Sequence, residues 1–181
     1  MGSDGASIHH HSLRTAHVYT AARNVDLILW PETAMPFFFQ SAETYQRQLL
    51  NLAREIKTPI LFGSPAFGQH GTEMTLYNRA YLISSSVEVV GYYDKMYLVP
   101  FGEYVPFPRV LFFLNKLVEG IGDFAAGTVP TVFSLPPGKF GVLIGYEGIF
   151  PELARRFVRR GAEFLVNITN DAWFGRISSP A

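Results

Sequence analysis

Residues 141–151, Gly-Val-Leu-Ile-Gly-Tyr-Glu-Gly-Ile-Phe-Pro, contain the transition that decides the fold. The apolar run that ends at Ile144 predicts a buried strand, and Pro151 predicts the first residue of a helix. A sharp turn between a strand and a helix is a place where enzymes present a nucleophile. Position 145 is glycine, however, and the chain contains no cysteine, so the turn offers no reactive atom at that position.

Apolar runs and helical repeats alternate along the chain on both sides of this turn. Ser84-Ser85-Ser86 separates two of the runs and indicates a hairpin, so we expect a mixed sheet. Several of the strands are continuously apolar, which is typical of sheets that are covered on both faces. The sequence therefore predicts one α/β domain. The predicted strands are 25–30, 59–63, 76–84, 87–93, 131–135, 140–144 and 163–169; helices are predicted to begin at Ser12, Ser41 and Pro151, with a further helical segment at 110–118.

The composition excludes several classes of function. Fifteen basic and fifteen acidic residues cancel, which argues against a nucleic-acid partner. The absence of cysteine excludes thiolate metal sites and disulfides. No stretch is long and apolar enough to cross a bilayer, and residues 1–11 have the composition of a flexible leader. Aromatic residues make up 15% of the chain, which indicates either a Phe-rich core or rings that contact an apolar ligand or a membrane.

Two charged residues at predicted strand ends are candidates for chemistry. Glu32 follows a short apolar strand, where a partly desolvated carboxylate could act as a general base. Lys95 follows another strand and could stabilise a developing oxyanion. Each residue also has a simpler interpretation, Glu32 as an exposed loop carboxylate and Lys95 as a solvated surface lysine.

The remaining polar candidates lie in a loop and beyond the turn. Glu103 is the single carboxylate of an apolar, proline-rich loop, and it either functions in catalysis or bonds backbone amides. Glu147 could bond Lys95, or it could favour the start of the following helix. Tyr146 could supply a backbone N–H to an oxyanion hole, or it could only pack. Four arginines, at positions 155, 156, 159 and 160, predict a solvated helix face.

The order of these segments resembles the nitrilase, or carbon-nitrogen hydrolase, superfamily and, within it, the apolipoprotein N-acyltransferases. The stretch Val-Pro-Phe-Gly-Glu-Tyr-Val-Pro at 99–106 is what distinguishes the acyltransferases from ordinary amidases. The resemblance extends over residues 12–181. The segments that carry it are 29–34, 77–80, 93–95, 98–106, 141–151 and 167–175.

The resemblance implies a nitrilase-like α-β-β-α sandwich with mixed sheets, truncated at both ends. It implies a Glu-Lys-Cys triad at Glu32, Lys95 and position 145, where this chain has Gly145, supported by Glu103, Tyr146 and Glu147. Such enzymes move an acyl chain from a phospholipid through a cysteine thioester to the N-terminal amine of an apolipoprotein, with no cofactor or metal. An apolar surface would admit the acyl chain, with Phe101, Phe107, Phe112 and Phe113 as its candidate residues.

The same resemblance implies a domain facing the periplasm at the bacterial inner membrane, in contact with the membrane surface. Because Gly145 replaces the nucleophile, we expect this chain to be inactive as written. The first alternative is a non-catalytic module that binds lipid or lipopeptide. The second is a nitrilase-type amidase, which the Phe-rich loop and Gly145 disfavour.

Overall fold

The computed structural model describes residues 25–70, 73–100, 103 and 124–170. These residues form two mixed sheets and two α-helices. A four-stranded sheet has the order β1-β2-β3-β4, and a three-stranded sheet has the order β5-β6-β7. The elements are β1 (Ile28–Leu29), α1 (Glu43–Ile56), β2 (Ile60–His70), β3 (Glu73–Ile83), β4 (Val89–Asp94), β5 (Val132–Leu135), β6 (Gly138–Ile144), α2 (Pro151–Arg159) and β7 (Phe164–Ile168).

The first half of β2 is buried on both faces because successive apolar residues pack into two different cores. Ile60 and Phe62 of β2 face a core that includes Leu49 and Leu52 of α1. The intervening Leu61 faces a second core, which the second sheet and α2 complete. This two-residue period is the one that a strand between two apolar layers requires.

The second core joins both sheets and α2. Phe157 of α2 packs against β6 at Gly141, where a Cβ would lie only 2.4 Å from the ring. Phe157 also makes an edge contact with Tyr93 of β4, at 5.4 Å between ring centroids. The absence of a side chain at position 141 therefore allows α2 to approach the sheet closely, and it fixes the helix that follows the turn at residues 145–149.

Most predicted elements are present, although several of their limits differ. The hairpin at residues 84–86 is confirmed, since β3 and β4 pair antiparallel. The strand predicted at 59–63 continues to His70, pairing with β3 over its whole length. The strand can continue through Pro65 because this residue lies beyond the two residues of β2 that pair with β1. An edge position of this kind tolerates the missing N–H.

Some predictions fall outside the described residues. The leader at residues 1–11, the helix predicted from Ser12 and the helical segment at 110–118 are among them. The same holds for the candidate acyl-chain residues Phe101, Phe107, Phe112 and Phe113. In α2, Val158 is 60% exposed, because burial of Leu153 and Phe157 turns position 158 outward.

Candidate active site

The ends of β1, β4 and β6 bring three of the predicted site residues together. Glu32 follows β1, Lys95 follows β4, and Gly145 follows β6. The Nζ atom of Lys95 lies 3.4 Å from Oε1 of Glu32. This separation is well within the distance at which two groups can act on one reacting centre.

The backbone around Glu32 is held by two other strands. The amide of Gly63 in β2 donates to the carbonyl of Pro31 at 3.2 Å, and the amide of Glu32 reaches the carbonyl of Thr169, just after β7, at 3.5 Å. A Cβ on Gly63 would lie 1.9 Å from the carbonyl oxygen of Glu32. Only glycine at position 63 permits this approach, so β2 determines where the Glu32 carboxylate stands.

Lys95 is buried between two carboxylates. Its side chain is 2% exposed, and Nζ donates to Oε1 of Glu103 at 2.9 Å in addition to its contact with Glu32. The ammonium also lies 5.7 Å from the centroid of the Tyr146 ring, within the range of a cation–π contact. A solvated surface lysine, the simpler interpretation, is therefore wrong.

Glu103 joins its loop to this group. Its Oε2 accepts the backbone N–H of Val99 at 2.8 Å, while Oε1 receives Lys95 and Asn78. The side chain therefore bonds a backbone amide, as one of the two interpretations had it, and a role in catalysis stays a prediction. The carboxylate ties its own loop to the backbone and balances the charge of the buried ammonium.

Asn78 of β3 is a functional candidate that sequence reasoning did not single out. Its Nδ2 donates to Oε1 of Glu32 and to Oε1 of Glu103, each at 2.7 Å. An amide nitrogen has two N–H groups, so one residue can hold both carboxylates in place beside the lysine. The only signal in the sequence was that Asn78 lies in the segment 77–80, which resembles the nitrilase superfamily. That resemblance assigns no role to the side chain.

The turn at position 145 points toward this charged cluster. Gly145 has φ +58°, in the left-handed region. A Cβ built there would lie 3.1 Å from Oε2 of Glu32 and 3.2 Å from Nζ of Lys95. A side chain at position 145 would therefore emerge directly between the candidate base and the ammonium. The carbonyl of Gly145 accepts a hydrogen bond from Nδ2 of Asn167 in β7, at 3.1 Å, which orients the turn.

Glu147 is placed differently from the prediction that it could bond Lys95. Its carboxylate is fully buried and accepts the backbone N–H groups of Met96, Tyr97 and Ile144 at 2.8, 3.0 and 2.8 Å. It also accepts the hydroxyl of Tyr93 at 2.9 Å. Glu147 thus fixes the backbone after Lys95, not its ammonium. Burial raises the pKa of the Glu147 carboxyl, and the backbone donors oppose that rise.

Tyr146 forms part of the wall around the ammonium. Its hydroxyl donates to the carbonyl of Leu98 at 2.8 Å, and its ring makes an edge contact with Phe150 at 5.0 Å between centroids. The side chain therefore packs, as one of the two interpretations had it. An oxyanion role for its backbone N–H remains a prediction.

The arrangement combines a carboxylate that can take a proton with an ammonium that can stabilise negative charge. Both groups border the position where the side chain of residue 145 would begin. Such a pair can assist attack by a nucleophile on a carbonyl carbon. Within the described residues, no group of His, Cys, Asp and Glu side chains is suited to hold a metal ion. The helices described are also too short or too polar to span a membrane.

The sequence matches the carbon-nitrogen hydrolase family over residues 7–181. It is 51% identical over 160 residues to the apolipoprotein N-acyltransferase of Geobacter metallireducens, covering 88% of this chain and 31% of that protein. It is 35% identical over 179 residues to the apolipoprotein N-acyltransferase of Chlorobaculum tepidum, covering 86% and 34%. The chain thus spans about a third of the length of these relatives.

Solved structures of the nitrilase superfamily share the fold. A cysteine-to-alanine variant of the Nesterenkonia AN1 amidase superposes with a TM-score of 0.65 at 21% identity, over 94% of this chain and 62% of the amidase. Nit3 from Saccharomyces cerevisiae gives a TM-score of 0.67 at 18% identity, over 97% and 63%. These similarities confirm the predicted nitrilase-like α/β fold.

Proposed function

This chain belongs to the carbon-nitrogen hydrolase family, and we propose that it is catalytic-domain sequence of a bacterial apolipoprotein N-acyltransferase in which glycine occupies the nucleophile position. The observation that carries the proposal is the position of a Cβ at residue 145, at 3.1 Å from Glu32 and 3.2 Å from Lys95. The base and the oxyanion-stabilising group are therefore assembled around a position that lacks its reactive atom.

With cysteine at position 145, the residues present would support two acyl transfers. Glu32 would take the thiol proton, and the thiolate would attack the ester carbonyl of a phospholipid. Lys95 would stabilise the tetrahedral oxyanion, and the lysophospholipid would leave with the proton from Glu32. The N-terminal amine of the apolipoprotein would then attack the thioester, give its proton to Glu32 and leave as the amide, releasing the thiol.

The membrane partners follow from the same proposal. The acyl donor is a phospholipid and the acceptor is a diacylglyceryl-cysteine apolipoprotein, so the domain works at the periplasmic face of the inner membrane. The relatives named above are apolipoprotein N-acyltransferases, which favours this substrate class over amides. The solved amidases support only the fold, since they are 21% identical or less.

The test is to install the missing thiol. Gly145→Cys and the parent chain are incubated with phospholipid, and intact-mass spectrometry detects a covalent acyl group. We expect an acyl adduct on Gly145→Cys and none on the parent, because glycine has no atom that can attack a carbonyl. Gly145→Ala is the matched control, since it adds the same Cβ and the same strain, about 1–3 kcal/mol at positive φ, without the sulfur.

The outcomes separate the candidate functions. An adduct on the parent or on Gly145→Ala would overturn the chemistry assigned to position 145. A folded Gly145→Cys that binds phospholipid without forming an adduct would favour the lipid- or lipopeptide-binding module. Hydrolysis of a simple amide by Gly145→Cys, without acyl transfer from phospholipid, would favour the amidase.

A further inference from the structure

An open surface cavity lies outside the catalytic cluster. It has a volume of about 280 Å³ and lies between the end of α2 and the segment that precedes β5. Six residues line it: Thr128, Val129, Pro130, Arg156, Arg159 and Arg160. None of them contacts Glu32, Lys95 or Glu103 through the hydrogen bonds and ion pairs described above, so this cavity is separate from the candidate active site.

The three arginines converge because of their spacing. Arg156, Arg159 and Arg160 are three and four residues apart, which puts them on one face of the helix end. The adjacent Arg155 points elsewhere and pairs with Glu152 at 2.9 Å. All four arginines are exposed, as predicted for a solvated helix face, and three of them line the cavity.

The described part of the chain supplies no carboxylate that balances the positive charge of the cavity. Among residues 25–70, 73–100, 103 and 124–170, no carboxylate lies within ion-pair distance of Arg156, Arg159 or Arg160. Glu163, the nearest acidic residue along the chain, directs Oε2 toward Gly138 at the turn between β5 and β6. The negative end of the helix dipole favours basic residues here, but that effect does not require three guanidinium groups around one cavity.

We propose that this arginine cavity binds a phosphate group, and that its source is the headgroup of an anionic phospholipid. Guanidinium groups bind phosphate oxygens in pairs of parallel hydrogen bonds and stay charged at all physiological pH values. The cavity is large enough for a phosphate and its ester linkages. Val129, which is 53% exposed at the cavity wall, gives the site an apolar border suited to a lipid surface.

The experiment compares two charge-matched triple variants of the full chain. Arg156→Gln/Arg159→Gln/Arg160→Gln removes the cavity arginines. Arg47→Gln/Arg54→Gln/Lys57→Gln removes the same charge from exposed positions in and just after α1. Binding is measured by co-sedimentation with phosphatidylcholine vesicles that contain phosphatidylglycerol, and separately by calorimetric titration with inorganic phosphate. Circular dichroism establishes that all three proteins fold.

We expect the cavity variant to lose at least about tenfold in affinity for the anionic vesicles, because each basic residue near such a surface adds to the attraction. The control variant should change by less than about threefold. Equal losses in both variants, or no loss in either, would overturn the proposal. Loss of inorganic phosphate binding in the cavity variant, with vesicle binding unchanged, would keep the phosphate site and overturn the lipid source.

The inference stands apart from the proposed acyl transfer. Every protein in this comparison keeps Gly145, so no step of the measurement requires an acyl-enzyme. Failure of the Gly145→Cys test would leave the vesicle result unchanged, and failure of the vesicle test would leave the catalytic cluster as described.

Discussion

Asn78 is the residue whose side chain bridges the two carboxylates of the candidate site and holds them in place beside Lys95. Without its amide, Oε1 of Glu32 and Oε1 of Glu103 would each lose a donor at 2.7 Å. The two carboxylates repel each other, and without the amide only the ammonium of Lys95 would offset this repulsion among the side chains named here. The geometry of the candidate base therefore depends on a neutral residue in the neighbouring strand.

We expect Asn78→Ala to lower the free energy of unfolding by about 1–3 kcal/mol, because two partly buried carboxylates lose a hydrogen bond. Urea denaturation measures this change. In the Gly145→Cys background the same substitution should slow formation of the acyl adduct. Asn51→Ala, on the exposed side of α1, serves as the control and should change stability by less than about 0.5 kcal/mol. Equal effects of the two substitutions would contradict the role of Asn78.

Gly63 allows a close backbone approach that positions Glu32. Gly63→Ala would place a methyl group 1.9 Å from the carbonyl oxygen of Glu32, so β1 or β2 must move. We expect a loss of about 1–3 kcal/mol in the free energy of unfolding, the usual range for overpacking, and a weaker acyl adduct in the Gly145→Cys background. Gly91→Ala is the control, since its Cβ would meet Phe133 at an ordinary 3.4 Å. Stability that is unchanged in Gly63→Ala would show that this approach is not a constraint.

At the scale of elements, Glu147 joins the turn after β6 to the segment after β4. The carboxylate accepts backbone N–H groups from both segments, so it sets the distance between position 145 and Lys95. For this reason a direct bond between Glu147 and Lys95, one of the two interpretations of this residue, is not formed. The sequence shows that Glu147 is acidic. It does not show that the carboxylate accepts backbone N–H groups from two different segments, because such contacts leave no periodic pattern.

The raised pKa of Glu147 leads to a test of pH dependence. Because the folded state holds this proton more tightly than the unfolded state, the proton contributes stability below the ordinary glutamate pKa of about 4.3. That contribution is lost as the pH rises through the pKa of the folded state. The stability of the parent chain relative to Glu147→Gln should therefore fall as the pH is raised from about 4, in denaturation curves over a pH series. A difference between the parent and Glu147→Gln that stays constant over the pH series would contradict the prediction.

The elements that could be predicted from the sequence are those with a regular apolar period. Pro151 and the repeat at Leu153 and Phe157 predicted α2, and the residue order of the matching segments predicted that Glu32, Lys95 and position 145 converge. The second half of β2 could not be predicted, since its residues lack an apolar alternation and pair only with β3. Asn78 was missed for a related reason: its importance arises from two partners 46 and 25 residues away, which no local pattern encodes.

At the scale of the whole molecule, the proposed function and the proposed role of the arginine cavity imply two separate contacts with lipid. The sequence predicts an apolar contact through Phe112 and Phe113, which lie outside the described residues. The proposed electrostatic contact is made by Arg156, Arg159 and Arg160, which line the cavity. An apolar contact is insensitive to salt, whereas attraction between arginines and anionic headgroups is screened over a Debye length of about 8 Å at physiological ionic strength.

These two contacts can therefore be distinguished in one set of measurements. Phe112→Ser/Phe113→Ser should weaken binding to neutral phosphatidylcholine vesicles and to anionic vesicles alike, at low and at high salt. The cavity triple variant should weaken binding only to anionic vesicles, and its deficit should shrink as salt is raised. Phe164→Ser, at a half-exposed ring in β7, is the control for loss of an aromatic side chain. Unchanged binding of Phe112→Ser/Phe113→Ser to neutral vesicles would mean that those rings do not contact lipid, and the cavity would then be the remaining proposed attachment to a membrane.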